Sequence, residues 1–355
     1  MKMGIIGLPL SGKTTVFNAV TGSSAAVGSY TGKKEANLAS IKVTDERVDF
    51  LTGIYNPKRV TYAEMSFMDV AASESATERG VGFDADSLTL LRTADGLTGV
   101  VRAFDNPAVP LPPGGVDPRR DLENLIAELI VADLIVIEKR IARLVKERNT
   151  KTLEFALLER CKEALENEIP LRDLDMTVQE RVLISPYSLL TLKPMLVVIN
   201  ISETDVGQAV DPELDKFCAD RNLDMFTICG AIEMEIGEME PDDRIEFLRD
   251  MGLDEPANER YVRAAYSALG LISFLTVGPT DVRAWPIRRG ATALEAAGKI
   301  HSDIERGFIR AEVVAYDDFV EAGDMNEAKH RGKLRLEGKE YIVQDGDIML
   351  FRFNV

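Results

Sequence analysis

Histidine and cysteine are scarce in this sequence. Two histidines, His301 and His330, and three scattered cysteines, Cys161, Cys218 and Cys229, occur in 355 residues. A histidine-based metal centre or catalytic triad has too few members to assemble. The cysteines include no C-x-x-C pair, which excludes a zinc or disulfide framework and reads as free thiols in a reducing compartment. No apolar run approaches the ~18 residues that suggest a membrane span. Met1-Lys2 leads straight into an apolar strand, so no signal peptide is expected. The expectation is a cytoplasmic protein with no membrane partner, acting as a monomer. Positive charge is also short, with 42 Lys+Arg against 59 Asp+Glu and a net charge of −17. Non-specific nucleic-acid binding by the whole surface is therefore excluded. The deficit is uneven: residues 271–355 hold twelve Lys and Arg against fourteen Asp and Glu, so that part is the better candidate for touching RNA.

What is present is an ordinary globular composition, 45% apolar and 28% charged, and enough chain for two or three domains. The strongest signal is at the start. Met3-Gly4-Ile5-Ile6 reads as a buried strand and runs into Gly7-Leu8-Pro9-Leu10-Ser11-Gly12-Lys13-Thr14, which fits G-x-x-x-x-G-K-[ST] at every fixed position. Thr15 to Val20 reads as a helix start, so the motif has its strand–loop–helix context. Gly7 and Gly12 permit backbone angles and close approaches that a Cβ blocks. Successive N–H groups and the helix N-terminus then suit phosphate, with Lys13 toward the β/γ-phosphates and the Thr14 hydroxyl toward Mg²⁺. Downstream, Val60 to Met68 alternates as a strand and ends on Asp69, the acid expected to hold Mg²⁺ opposite Thr14.

Further strands are expected at Leu38 to Val43, Leu97 to Phe104, Lys193 to Asn200 and Asp224 to Gly230. With intervening helices and loops they suggest a parallel α/β sheet. Polar, glycine-bearing stretches at Thr21 to Lys34 and Ser73 to Asp86 read as loops. After the Pro110–Gly115 loop, Arg119 to Arg148 and Leu153 to Glu168 carry apolar residues at helical spacing. They form an antiparallel helical hairpin, either packed on its own sheet or presented as an arm to a partner. From Leu271 a strand pair, a helix at Thr292 to Ile300, and strands at Tyr341 to Val343 and Ile348 to Phe353 suggest a small α+β module.

The base-reading position is informative. GTP-binding P-loop proteins carry N-K-x-D, whose Asp accepts two hydrogen bonds from guanine. Here the strand ends Asn200-Ile201-Ser202-Glu203. The longer acid cannot make the same paired contact, and an unpaired buried polar group costs roughly 1–3 kcal/mol. Guanine selectivity should weaken, and adenine becomes acceptable.

Together these residues resemble the YchF family, the Obg-like ATPases, over nearly the whole chain. The family's G-L-P-N-V-G-K-S loop corresponds to Gly7–Thr14 and its N-x-x-E signature to Asn200 and Glu203. The strings Ala296-Ala297-Gly298-Lys299-Ile300-His301, Gly307-Phe308-Ile309-Arg310-Ala311-Glu312-Val313 and Tyr341-Ile342-Val343-Gln344-Asp345-Gly346-Asp347 read like its TGS-type domain. The resemblance implies an α/β fold with a Ras-like P-loop domain at 1–115 and 190–270. It places a helical arm at 116–189 and a ubiquitin-like β-grasp domain at 271–355. It implies ATP preference, slow hydrolysis, and association with the ribosome or RNA through the arm and the TGS-type domain, where Arg283, Arg288, Arg289, Arg306 and Arg310 are candidates. The expected nucleotide contacts are Gly7, Leu8, Pro9, Leu10, Ser11, Gly12, Lys13, Thr14, Thr15, Asn200, Ile201, Glu203, Cys229, Gly230 and Ala231, with Lys13 also the catalytic candidate and Thr14 and Asp69 the Mg²⁺ ligands. GTP in place of ATP, and a scaffold indifferent to nucleotide, are the alternatives.

Departures from the family pattern concentrate around hydrolysis. Leu10 stands where the family has an Asn that helps hold K⁺ in related enzymes, and leucine cannot ligate a cation. Ala72 replaces a glycine, Lys33 replaces a metal-binding Thr with Thr31 two residues away, and Leu90 replaces a histidine. Ser73 does not restore a water-orienting Gln. Binding groups are kept while groups that polarise water are altered, so slow or absent turnover is expected.

Overall fold

The computed structural model describes residues 1–23, 37–70, 83–112, 114–253 and 255–354. In chain order it begins β1 (Lys2–Gly7), α1 (Lys13–Thr21), β2 (Asn37–Val43), α2 (Glu46–Tyr55), β3 (Arg59–Thr61) and β4 (Ala63–Asp69). It continues α3 (Ala85–Arg92), β5 (Gly96–Ala103), α4 (Pro118–Lys146), α5 (Leu153–Glu166) and α6 (Val178–Ile184). Then come β6 (Met195–Ile201), α7 (Pro212–Ala219), β7 (Asp224–Ile228), α8 (Gly230–Glu238), α9 (Pro241–Asp250) and α10 (Ala257–Ala268). The last part holds β8 (Leu271–Thr276), β9 (Asp281–Arg288), α11 (Ala293–Ile300), α12 (Ser302–Arg306), β10 (Phe308–Val314), α13 (Tyr316–Ala322), α14 (Met325–His330), β11 (Arg335–Glu337) and β12 (Ile348–Phe353). Two compact units result: Met1–Ser40 with Ser66–Ala265, and Ile41–Met65 with Tyr266–Val355.

The first unit is built on a sheet of order β2-β4-β1-β5-β6-β7. β1 lies parallel to β4 and β5, and β5, β6 and β7 continue in parallel. The apolar runs Met3–Ile6 and Met195–Ile199 are buried throughout, as strands covered on both faces must be. α4 begins where the Asp117 side chain accepts from Arg120 N and Pro118 takes the first helical position. Its Leu122, Leu125, Ile126 and Leu129 share a core with Leu97, Val101 and Val197 of the sheet. Farther along, Ile137 and Leu144 join the same core with Leu157, Leu158, Cys161 and Leu165 of α5. The helical pair is thus packed on its own sheet at the root and on itself beyond. Val131, Ile135 and Val145 face outward.

One buried carboxylate ties this arrangement together. Asp133 of α4 is fully buried and accepts from Leu190 N (3.0 Å), Thr191 N (2.7 Å) and Thr191 Oγ1 (2.8 Å). Arg92 at the end of α3 donates to it at 3.1 Å.

The second unit has a sheet of order β11-β10-β12-β8-β9-β3. β8 and β9 form an antiparallel pair, β12 runs parallel to β8, and β10 is antiparallel to β12 and β11. This is a β-grasp arrangement with α11 on one face, where Ala293, Ala296 and Ala297 pack with Ile272, Phe274 and Ile287. Thr292 and Glu295 close a capping box at the start of α11. The opposite face packs Val48 and Leu51 of α2 and Phe319 of α13 with Leu275, Val282 and Ala284.

Three expectations need correction. The alternating stretch Val60–Met68 is not one strand. Tyr62 interrupts it, and β3 joins the second unit's sheet whereas β4 runs into the first. Residues 41–65 consequently fold with 266–355 and not with the P-loop domain. Tyr341–Val343 makes only an isolated bridge, Thr292 to Ile342, because its backbone closes the turn beside α11. The helix α2 was missed although its signals are in the sequence. Asp45 caps it by accepting from Arg47 N, and Asn56 ends it in the left-handed region.

Two measurements check this packing. Replacing Asp133 with Ala leaves Arg92 and three donors without their acceptor, and should lower unfolding stability of the first unit by about 3–5 kcal/mol in a urea titration. Burial pushes the Cys161 and Cys218 thiols up to about 11. Both should resist iodoacetamide at pH 8 in the native chain and react once it unfolds.

Candidate functional site

The loop between β1 and α1 closes tightly. Ser11 N donates to Leu8 O at 3.2 Å, and Leu10 and Gly12 take φ values of 65° and 85°. Left-handed backbone is routine for glycine and costs a leucine about 1–2 kcal/mol. A Cβ on Gly7 would lie 2.5 Å from Val100 O, and one on Gly12 would lie 2.2 Å from Asn200 Nδ2. Both glycines are therefore dictated by space, Gly12 by its backbone angle as well. Gly12 is the N-cap of α1 and offers no side-chain acceptor there. The helix's unpaired N–H groups and partial positive charge are left for a ligand, the arrangement that binds anions.

At the far side of the loop the acid at the end of β4 meets the start of α1. Thr14 Oγ1 donates to Asp69 Oδ2 at 3.0 Å, and Asn37 Nδ2 reaches the same oxygen at 3.3 Å. Asp69 is buried, and its other oxygen, Oδ1, has no hydrogen-bond partner among the described residues. Lys13 stands beside them. Burial lowers its pKa, opposed by the charge of Asp69. The buried Ser11 hydroxyl also lacks a partner among the described residues.

The other end is organised by Asn200. Its Nδ2 donates to Ser11 O at 3.2 Å, and its Oδ1 accepts from Gly230 N at 3.1 Å. One buried amide thus joins the phosphate loop to the loop after β7. Cys229 is the N-cap of α8, and burial raises its thiol pKa. Gly230 is buried beneath Thr15, whose methyl lies 3.1 Å from where a Cβ would stand. Ile201 is half-buried, while Glu203 and Ala231 are exposed. Leu8 and Pro9 are half-buried, and Leu10 projects at 46% exposure.

Two residues here escaped sequence reasoning. The Phe104 ring lies 3.6 Å from the Gly12 Cβ position, and the Arg102 guanidinium sits 4.6 Å over that ring. Arg102 is buried and donates to the carbonyls of Phe104 (3.1 Å), Pro110 (2.8 Å) and Val109 (3.3 Å), which fixes the loop after β5. An arginine ending an apolar strand was the available signal. Asn37 also escaped, since nothing in its neighbours marks it. Leu90 packs against the first unit's core. Thr31, Lys33, Ala72 and Ser73 lie outside the described residues. In the second unit Arg283 lies over Trp285 at 3.8 Å, Arg306 pairs with Asp303, and Arg310 lies 3.9 Å from Glu312. Arg288 and Arg289 are exposed.

A sheet of this order, parallel through β4, β1, β5, β6 and β7, with a glycine loop opening α1 and an acid on the adjacent strand, defines a Ras-like P-loop protein. Its relatives narrow the class. The chain is 41% identical over 361 residues to "Ribosome-binding ATPase YchF" of Bacillus subtilis (strain 168), covering 99% of each chain. It is 39% identical to the protein of the same name from Escherichia coli O157:H7, covering 100% of this chain and 99% of that one. The solved "Structure of the Schizosaccharomyces pombe YchF GTPase" superposes with a TM-score of 0.83 at 31% identity, covering 99% of this chain and 97% of that one. Residues 271–354 match the family model YchF-GTPase_C, described as "Protein of unknown function (DUF933)". The chain belongs to the YchF family.

The site geometry gives two stability predictions. Gly12→Ala should lower the melting temperature more than Gly22→Ala, because Gly22 shares the left-handed backbone (φ 64°) but no described residue lies within 4 Å of its Cβ position. Folding depresses the Lys13 pKa, so the charged lysine favours the unfolded chain, and this group's contribution to stability rises as pH climbs through the folded pKa toward ~10.4. Lys13→Met should leave stability unchanged or higher and flatten that alkaline rise in unfolding experiments between pH 7 and 10.

Proposed function

We propose that this chain binds ATP in preference to GTP at the Gly7–Thr14 loop, turns it over slowly, and acts in association with the ribosome. The observation that carries the reading is the meeting, beside Lys13, of Thr14 with a buried Asp69 whose Oδ1 has no partner among the described residues. Buried carboxylate oxygens are rarely left without a partner, and two oxygen ligands beside a lysine suit a hard divalent cation on phosphate. Thr14 and Asp69 would hold Mg²⁺, which neutralises charge on the phosphate oxygens when bound. The chain's own groups do the remaining work. Lys13 pairs with phosphate, which suits an ammonium disfavoured by burial alone. The N–H groups opening α1 supply further donors. Asn200 spends its amide on Ser11 and Gly230, so it shapes the base end by holding two loops in register.

Four observations bear on nucleotide choice and turnover. Glu203 stands where guanine readers place a shorter acid, and the relatives named above carry ATPase in two names and GTPase in one title. Leu10 offers no oxygen to a monovalent cation. Leu90 spends its side chain on core packing, so it supplies no proton donor or acceptor at the position where the resemblance placed a histidine. Ribosome association rests on the relatives' names, and the helical pair α4–α5 and the exposed Arg288 and Arg289 offer surfaces for it.

Titration of ATP and GTP against a fluorescent nucleotide, with Mg²⁺, tests the reading. ATP should bind at least as tightly as GTP; a hundredfold GTP preference overturns it. Lys13→Ala should weaken ATP roughly 10- to 100-fold, the loss of one charge-assisted contact. Turnover of the purified chain should stay well below ~1 s⁻¹, and co-sedimentation with ribosomes should weaken when nucleotide binding is lost.

A further inference from the structure

The chain leaves and re-enters the first unit beside the site. β2 and β4 are neighbours in its sheet, and the Ser40 and Ser66 hydroxyls meet at 3.0 Å where the chain crosses from one unit to the other. Three residues inside that clasp on each strand stand Asn37 and Asp69, whose side chains are hydrogen-bonded to each other. Asp69 also takes the Thr14 hydroxyl. The two strands that carry the chain into and out of the excursion 41–65 are therefore joined, three residues inside the clasp, at Asp69, one of the groups that would receive a metal-bound nucleotide.

The excursion itself is built into the second unit. Val48, Leu51 and Ala63 are buried in one cluster with Leu275, Val282, Ala284, Val314, Phe319 and Ile348. β3 pairs in parallel with β9 through Arg59–Asp281, Val60–Val282 and Thr61–Arg283. Arg47 donates to Asp345 at 3.0 Å, and Asp345 accepts from Ser273 N at 2.8 Å, which places the start of α2 on the β8 backbone. Arg59 meets Asp281 at 3.1 Å. A segment with this many fixed points cannot shift at its ends without straining the core it completes.

We propose that residues 41–65 couple occupancy of the nucleotide site to the internal stability of the second unit. This rests on the nucleotide reading of the site. A ligand that engages Thr14 and Asp69 replaces their mutual hydrogen bond and draws on the ends of β2 and β4. The covalent excursion carries that change into the cluster around Leu275 and Val282. The linkage is reciprocal, so loosening the excursion in the second unit changes nucleotide affinity by the same factor.

Hydrogen exchange of the full chain, read by mass spectrometry with and without ATP and Mg²⁺, tests the coupling. Amides of α2 (46–55) and of β8–β9 (271–288) should change their exchange rates threefold or more on binding. Arg47→Ala, far along the chain from the phosphate loop, should diminish that response and shift the ATP Kd at least threefold. ATP binding with exchange changes confined to 1–40 and 66–265, and an Arg47→Ala Kd within error of the parent, overturns the coupling while the nucleotide reading stands. A second arm needs no nucleotide: Thr14→Ala removes one hydroxyl from Asp69 and should alter exchange at 46–55 and 271–288 in the free chain. If ATP does not bind, the nucleotide reading falls and this arm alone decides the coupling. Unchanged exchange there rejects it.

Discussion

A single buried amide holds the candidate site in shape. Asn200 ends β6, donates to the carbonyl of Ser11 and accepts from the N–H of Gly230. The side chain therefore fixes the two loops relative to each other. The dependence extends to sequence: Gly12 must be glycine because the amide occupies the space of its Cβ, and the buried Gly230 lies just below. A buried amide with both ends satisfied is worth more than its separate bonds, since losing it strands two backbone groups.

The chemistry around the strut divides into kept and altered parts. Under the proposed function the kept groups, the helix start, Lys13, Thr14 and Asp69, are those that would grip charge. The altered groups are those that would steer water or a monovalent cation, and where they are described they have taken other roles. Leu10 carries an unfavourable backbone angle with its side chain outward, and Leu90 packs against core. On the proposed reading of tight binding and slow cleavage, such a site suits an occupancy signal better than a source of turnover.

Much of the first unit was legible because its signals are local and strong. The apolar runs at Met3–Ile6 and Met195–Ile199 could only be buried parallel strands, and the phosphate loop matched its pattern in full. The helical pair was legible by spacing, but not whether it packed on the sheet; that depends on Leu97, Val101 and Val197, which no periodicity connects to Leu122 or Leu125. The fate of residues 41–65 was illegible for the same reason. An alternating stretch reads as one strand, and nothing in Arg59-Val60-Thr61 says that it pairs with Asp281-Val282-Arg283 more than two hundred residues later. At the site, a conventional motif gave the phosphate end, while Phe104 and Asn37 became visible only when folding brought them to Gly12 and Asp69.

The parallel pairing of β3 with β9 bears on how this architecture can be dismantled. The family model spans residues 271–354, which invites treatment of that stretch as a transferable cassette. Cut there, the sheet loses its terminal strand, and β9 becomes an open edge flanked by the apolar Val282, Ala284 and Ile287. Open apolar edges invite pairing with another chain. Recombination at residue 271 would therefore release a sticky fragment, and lineages that shuffled the C-terminal module alone would have to supply a new edge strand or a charged substitute.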